Sequence, residues 1–485
     1  MKKLLVSAVV LTFGVAVYAQ DTGAQKAVQV AQIPGSATGA NTGESIKNGT
    51  SNAVQVRQAG TEQSVLTNQN GDSNLARLIQ TGNVNGNQAL SGQLNLAEVD
   101  QDGYNNQSTT AQEGDFNNAY TRQNNDAGEE SLGNRAQIMQ GVANQAENND
   151  TAIEQDGQDN SAYTLQTWDN SDAWTIQNGI GNTSEISQNA GPEDSEGHFA
   201  IVDQLGENNE SRVNQSGANG DQDRNTAFTR QGGTGNAAEQ IQVSTGSAGG
   251  NNADILQGFT GVMPTYSGDQ DDLFDTVNNF DPSLAADDDG VTALTSTDGV
   301  AFQTQTGGEN DAVIVQFGEG NNAAQSQNGD GNVAQAVQNL IPDAGFDNVS
   351  SQTQTGDDNA ATVVQNDREH VAVQNQEGNG NTVLSSQRGT HNYSDVSQEG
   401  NGSYGRTLQH GAFNVAFLTQ RDGQSYSIFQ NEGQFGPGNG GNQADILQEG
   451  PLGTGVQRGF THFNASGVTA PHAVGTFSLD PLYED

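Results

Sequence analysis

Residues 69–80 read QNGDSNLARLIQ, one copy of the frame Gln-x-Gly-x-x-Asn-x-Ala-x-x-x-Gln, in which the closing glutamine also opens the next copy. Glutamines in this register recur 30 times between Gln58 and Gln448, and 18 of the 29 intervals between them are eleven residues long. Self-similarity at a fixed period is the sequence signature of a repeat architecture. The chain is therefore predicted to consist of stacked repeats rather than of domains with one large apolar core.

The segment before each closing glutamine is predicted to be a strand, in which side chains two residues apart share one face. Positions −6, −4, −2 and 0 relative to the glutamine then face the same way. Position −6 is Asn in 23 of the 30 units and position −4 is Ala in 19, with Tyr426 as its one bulky exception. None of the 90 residues at positions −6, −4 and −2 is charged, although 15% of the chain is. Because a buried unpaired charge is costly, this face is predicted to be the interior.

Such an interior predicts ladders of Asn and Gln amides that hydrogen-bond along the stacking direction, as in cross-β assemblies. Gly and Asn between the strands tolerate the positive φ of tight turns. Two units make one rung of about 22 residues, so the predicted fold is an all-β, parallel two-sheet β-solenoid (cross-β) of about 15 rungs. The residues predicted to form the ladders and their turns are Gln69, Gly71, Asn74, Ala76, Gln80, Gln112, Asn117, Gln123, Gln155, Asn160, Gln166, Gln316, Asn321, Gln327, Asn332, Gln338, Gln409, Asn414 and Gln420.

These units resemble the curlin repeat, Ser-x5-Gln-x-Gly-x2-Asn-x-Ala-x3-Gln, and residues 112–123, 316–327 and 409–420 follow its Gln-to-Gln part position by position. The resemblance covers about 400 of the 485 residues. It implies a secreted structural subunit of curli-type functional amyloid fibres, which form the biofilm matrix and mediate adhesion at the bacterial surface. It also implies export through the periplasm, a dedicated outer-membrane secretion channel and a nucleator subunit as partners. The chain is much longer than a typical curlin subunit, which leaves its place as major subunit, nucleator or accessory subunit open.

Six segments are predicted along the chain. Residues 1–19 have the pattern of a signal peptide, with two lysines before an apolar run and a small-residue cleavage site. The further segments are a flexible N-terminal segment at 20–51, read as either an export signal or a linker, repeat block 1 at 52–257, an acidic insert loop at 258–299, repeat block 2 at 300–448 and a C-terminal tail at 449–485. No apolar stretch is long enough for a confident membrane span, so the exported protein is not expected to be embedded in a membrane.

The acidic insert contains two runs of aspartate, at 269–272 and 287–289. Oxygen-rich loops suit hard cations such as calcium. The runs lack the ligand spacing of a known calcium motif, so a solvated loop is favoured.

The composition limits the possible partners. The chain has 16 basic and 59 acidic residues, a net charge of −43, which argues against nucleic acid as a direct partner. All four lysines, 2, 3, 26 and 47, precede the predicted repeats, which therefore lack the lysines that often protect exposed sheet edges. The acidity predicts slow assembly at low salt and faster assembly with divalent cations or near the pI of about 4.1. A chain this polar could also be disordered, and a disordered state before assembly stays open.

No catalytic, cofactor-binding or metal-binding site is predicted, and an enzyme is not expected. The chain has no cysteine, which excludes disulfides and thiolate ligands. His198 and His370 fall at the Asn position of the repeat, whereas His391 and His410 fall in turns. The alternative function is a monomeric secreted β-solenoid adhesin. An ice-binding solenoid is disfavoured because the outward rows, such as Thr183, Glu185 and Ser187, are irregular.

Overall fold

The computed structural model describes residues 40–81, 92–125, 133–141, 146–191, 197–217, 224–244, 249–258, 295–339, 345–431 and 440–448. The predicted signal peptide, the aspartate runs of the insert and the predicted C-terminal tail lie outside these ranges. Across the described ranges no helix is long and apolar enough to cross a membrane.

The described residues form 32 strands in two sheets. Sheet 1 consists of β1 (Thr42–Asn48), β3 (Ser64–Asp72), β5 (Leu96–Tyr104), β7 (Asn118–Asn125), β9 (Asp150–Gln158), β11 (Asp172–Ile180), β13 (Phe199–Glu207), β15 (Thr226–Thr234), β17 (Asn252–Gln257), β18 (Ser296–Thr297), β20 (Asp311–Gln316), β21 (Gly318–Glu319), β23 (Val333–Gln338), β25 (Ala360–Arg368), β27 (Thr382–Thr390), β29 (Tyr404–Ala412) and β31 (Ser425–Gln430).

Sheet 2 has 15 strands. They are β2 (Ala53–Ala59), β4 (Leu75–Thr81), β6 (Gln107–Glu113), β8 (Arg135–Gln140), β10 (Ser161–Thr167), β12 (Thr183–Asn189), β14 (Glu210–Ser216), β16 (Ala237–Val243), β19 (Val300–Thr306), β22 (Asn322–Asn328), β24 (Val349–Thr355), β26 (Val371–Glu377), β28 (Tyr393–Glu399), β30 (Val415–Arg421) and β32 (Gln443–Gln448).

The chain alternates between the sheets, so each turn adds one main strand to each of them. Neighbouring strands are parallel and place glutamine opposite glutamine, as in Gln69 with Gln101 and Gln80 with Gln112. The predicted parallel two-sheet β-solenoid is therefore confirmed, and the 15 strands of sheet 2 agree with the predicted number of rungs.

The rungs are less uniform in length than predicted. Six of the fourteen steps along sheet 2 span 22 residues, as from Val349 to Val371. The other steps span 26 to 32 residues, apart from one of 63. The fourteen steps thus average about 28 residues, because loops lengthen the connections while the strands keep their register.

The solenoid begins earlier than predicted. Residues 42–48, which fall in the predicted flexible segment, form β1 and pair with β3. The Oδ1 of Asn41 accepts a hydrogen bond from the backbone N–H of Gln63 at 3.1 Å, as an Asn at position −6 does elsewhere. The unit was missed because Lys47, and not a glutamine, stands opposite Gln69.

Gln93, in contrast, does not close a strand. It is an exposed residue, and among the described residues it forms one isolated β-bridge, to Thr61. In the stack, Gln101 follows Gln69 directly. The eight-residue interval between Gln93 and Gln101 is too short for a strand and a turn. Gln93, one of the 30 glutamines that follow the repeat register, therefore lies outside the ladders.

The two repeat blocks form one continuous pair of sheets. Strand β16 pairs with β19, and β17 pairs with β20, so the insert leaves the stack without interrupting it. The predicted end of the insert is too late, because residues 296–297 already form β18. The N–H of Gly299 then donates to Asn236 Oδ1 at 3.1 Å, which places Gly299 at position −6 without an amide of its own.

Candidate functional site: amide ladders and end rungs

A glutamine ladder runs through each sheet. In sheet 2, the Nε2 of each closing glutamine donates to the Oε1 of the next, from Gln58 to Gln448, at 2.8–3.0 Å in all fourteen steps. Sheet 1 has the same ladder from Gln69 to Gln430, at 2.8–2.9 Å in thirteen steps. Every bond points the same way, so each ladder is polar.

The asparagines at position −6 form a second kind of ladder with the opposite polarity. The Oδ1 of Asn160 accepts from both the backbone N and the Nδ2 of Asn182, each at 3.1 Å. Asn182 accepts from Asn209 in the same way. Each such amide therefore ties a strand to its neighbour through side chain and backbone together.

The structure places the predicted ladder residues on one buried face. Gln112, for example, lies between Gln80 and Gln140 and also donates to the backbone oxygens of Leu96 and Asn117. The predicted residues that are at most 2% exposed are Gln69, Asn74, Ala76, Gln80, Gln112, Asn117, Gln123, Gln155, Asn160, Gln166, Gln316, Asn321, Gln327, Asn332, Gln338, Gln409, Asn414 and Gln420. Gly71, the remaining predicted residue, lies at a half-buried turn.

The turn at Gly71 requires glycine for two reasons. Its φ of 103° is one that side-chain-bearing residues rarely adopt. A Cβ at this position would lie 2.1 Å from the carbonyl oxygen of Gly103 in the next rung. A side chain at Gly71 would therefore collide with the backbone of the next rung at this spacing.

A third glutamine ladder was missed by the sequence reasoning. At position −2 of sheet 2, Gln240, Gln303, Gln325, Gln352 and Gln374 stack with Nε2-to-Oε1 distances of 2.8–3.1 Å. The signal was present in the sequence, but it is visible only when alternate units are compared, since neighbouring units belong to different sheets.

His370 replaces an asparagine within the Asn ladder. Its Nδ1 accepts from the backbone N of Asn392 at 3.2 Å, and its Nε2 lies 2.8 Å from the carbonyl oxygen of Asn366. This pattern requires a neutral imidazole protonated on Nε2. Burial lowers the pKa of His370 to about 4, and that of His198 likewise to about 4. Both histidines thus substitute for a neutral amide.

The outer face of sheet 1 carries carboxylates in poorly solvated positions. Burial raises the pKa of Asp254 to about 8, helped by the nearby charge of Asp311. It raises the pKa of Asp150 to about 7, with a smaller contribution from Asp172, and that of Glu98 also to about 7. These groups make the stack sensitive to pH near neutrality.

The two ends of the stack differ from its middle. The N-terminal rung comprises β1 and β2, which pair only with β3 and β4 among the described strands. The C-terminal rung comprises β31 and β32, which pair only with β29 and β30. Inward residues that are buried in other rungs are exposed here, including Val56 at 45% and Tyr426 at 38%. Among the described strands, each end rung thus presents one unpaired edge of sheet 1 and one of sheet 2.

The described residues contain no group of three or more His, Cys, Asp or Glu side chains that could hold a metal ion. No family model matches the chain, and no curated protein matches it either.

Proposed function

We propose that this protein is a secreted structural subunit of curli-like extracellular amyloid fibres that polymerises end to end through its amide ladders. The observation that carries the proposal is the polar glutamine ladder of sheet 2. It runs unbroken through the stack and ends on either side at a strand that has no further partner among the described strands. Parallel stacking with amide ladders is the bonding pattern of cross-β fibres.

The ends of the ladder are chemically complementary. Among the described residues, Gln58 Oε1 accepts no hydrogen bond, whereas Gln448 Nε2 donates only one, to the carbonyl oxygen of Ser425 at 3.4 Å. An amide nitrogen has two hydrogens to donate. A second copy stacked in the same direction would place a donor opposite an acceptor and extend the ladder from one chain to the next.

The resemblance of the repeat to curlin units supports the cellular part of the proposal. It supports export by the predicted signal peptide at 1–19, passage through an outer-membrane channel, nucleation at the cell surface and a place in the biofilm matrix. The large negative charge of the chain opposes self-association. We therefore expect divalent cations to accelerate growth by screening, with no dedicated cation site required.

The test is assembly of the purified chain without its predicted signal peptide, followed by thioflavin-T fluorescence and electron microscopy with and without preformed seeds. The proposal predicts a lag phase, removal of the lag by seeds, and unbranched fibres. A stable, β-rich monomer that does not bind the dye would refute it and would favour the alternative, a monomeric solenoid adhesin.

A further inference from the structure

The solenoid ends flush at both termini, and this property restricts how two copies can meet. The N-terminal rung contains one strand of each sheet, and so does the C-terminal rung. A second copy can therefore continue both sheets at once, with β31 opposite β1 and β32 opposite β2. If the closing residues stay aligned, Gln448 lies opposite Gln58, and Gln430 lies opposite Lys47.

Within this register the interior side chains of sheet 1 are complementary in size. Tyr426 is the one bulky residue at position −4 of the repeat, and the residue that it would meet is Gly43. A Cβ added at Gly43 would be in ordinary contact distance of Val65 alone, at 3.6 Å from its oxygen. No other described atom lies within 4 Å of that Cβ, so Gly43 leaves room beside it for a bulky inward side chain of a second copy, such as the ring of Tyr426.

The outward side chains are also complementary. Phe429, at 47% exposure, would lie opposite Ile46, at 44%. Both are large apolar residues on the surface of a very polar protein, and their contact would remove apolar area from water. In sheet 2 the inward Ile446 would cover Val56, which is 45% exposed in the free end.

Charge favours the same arrangement. The two strands of the N-terminal rung carry Lys47 and Arg57 against Glu44, a net charge of +1, in a chain whose net charge is −43. The described part of the C-terminal rung carries Asp445 alone, a net charge of −1. Two N-terminal rungs would repel each other, and inward charges on edge strands are a known device against unwanted pairing. Lys47 interrupts the sheet 1 ladder and leaves the buried Gln69 Oε1 without a partner. Because an ammonium group cannot accept a hydrogen bond from Gln430 Nε2, the amide ladder continues across the head-to-tail junction in sheet 2 only.

We propose that copies of this protein join through a flush, in-register junction, in which the C-terminal rung of one chain stacks on the N-terminal rung of the next and Tyr426 fills the space above Gly43. The junction rests on the proposed function, because it describes how the fibre subunits meet. The partner at the junction is a second copy of the same chain, stacked in the same orientation.

A disulfide reports the register directly, because the chain has no cysteine of its own. In-register Cα atoms of neighbouring strands lie about 4.8 Å apart, inside the range of about 4.4–6.8 Å that a disulfide spans. The double variant Ile46→Cys/Phe429→Cys is assembled under reducing conditions, oxidised, and run on a denaturing gel without reductant. We expect a ladder of covalent multimers. The matched control Glu44→Cys/Phe429→Cys shifts one cysteine by two residues, to roughly 8 Å, and is expected to stay monomeric on the gel.

The size match is tested by Gly43→Leu, with Glu44→Ala as the control on the outward face of the same strand. We expect Gly43→Leu to lower the rate of seeded growth by tenfold or more without changing the unfolding midpoint of the monomer. Adding Tyr426→Ala is expected to restore at least part of that rate. Suppose that the wild-type chain forms fibres. Cross-linking in the shifted control alone, or unchanged growth of Gly43→Leu, would then overturn the junction but leave the proposed function intact. A wild-type chain that forms no fibres would overturn both.

Discussion

The inner and outer faces of the same strands follow different rules. On the inner face of β12 (Thr183–Asn189) every residue stacks on a similar one, as Gln188 does on Gln166. On the outer face the neighbours alternate in charge, and Arg212 lies between Glu185 and Glu239, at 3.4 and 3.7 Å. A carboxamide both donates and accepts, so it can stack on a copy of itself. A charged group repels its copy, and an outer column must therefore vary.

This difference indicates which face specifies the fold. Apart from Lys47 in the N-terminal rung, the inner columns are uncharged. A slip of one residue would therefore bring the charged outer residues into the interior, where they lack partners. The outer columns tolerate variety because water and opposite charges solvate them. Substitutions on the two faces should therefore differ greatly in effect even within one strand.

The largest effect is expected for the double substitution of Gln316 and Asn321 by Ala. It removes the acceptor of Gln257 Nε2 and the donor to Gln338 Oε1. It also removes the acceptor of the Asn348 backbone and side-chain N–H groups. At about 1–3 kcal/mol for each unpaired buried group, we expect a loss of about 4–8 kcal/mol in the free energy of unfolding. Chemical denaturation of the monomer and seeded growth measure it, and unchanged values in both would contradict the ladder account.

A matched pair of serines in β12 compares the two faces directly. Ser184 is fully buried on the inner face, whereas Ser187 is half-buried on the outer face. Ser184→Asp places a carboxylate among amides and aliphatic groups, and we expect a loss of about 3–5 kcal/mol in the free energy of unfolding. Ser187→Asp is expected to change it by less than about 0.5 kcal/mol. Equal losses from the two variants, measured by urea unfolding, would show that the faces do not differ as argued.

The sequence was sufficient to predict the inner face and insufficient for the outer one. The eleven-residue period and the exclusion of charge located nearly all the ladder glutamines, because each inner position is defined by its own unit. Strand β1 was not predicted, because its unit has Lys47 in place of the closing glutamine by which the units are recognised. The burial of Asp254 depends on which residues lie above and below it, and therefore on loop lengths between rungs. Its neighbour Asp311 is 57 residues away in the sequence, across the insert, so local pattern could not reveal the contact.

Lowering the pH from about 8.5 to 6.5 is expected to stabilise the protein. Asp254 and Asp150 have raised pKa values in the folded state, about 8 and about 7, so the folded chain binds more protons than the unfolded chain in this interval. The free energy of unfolding then rises as the pH falls, by about 3 kcal/mol for the two groups together.

Below about pH 6.5 the histidines act in the opposite direction. His198 and His370 have a pKa of about 4 when folded, so protons then favour the unfolded chain at these sites, and the gain levels off. Asp254→Asn should flatten the dependence between pH 8.5 and 6.5, as measured by thermal unfolding. A wild-type midpoint that falls over that interval would contradict the assignment.

The smallest effect is expected for Arg406→Ala on the outer face of β29 (Tyr404–Ala412). The guanidinium of Arg406 lies 5.5 Å from the ring centre of Phe429 in the next strand, a cation–π contact worth about 0.5–1 kcal/mol at an accessible site. The substitution leaves the neighbouring inward residues Gly405 and Thr407 in place, so the core and its hydrogen bonds stay unchanged. We therefore expect a loss of at most about 1 kcal/mol by urea unfolding. Growth should remain within about twofold of wild type, with Arg406→Lys as the variant that retains the charge. A loss as large as that of Ser184→Asp would mean that the outer face, and not only the inner ladders, specifies how the rungs stack.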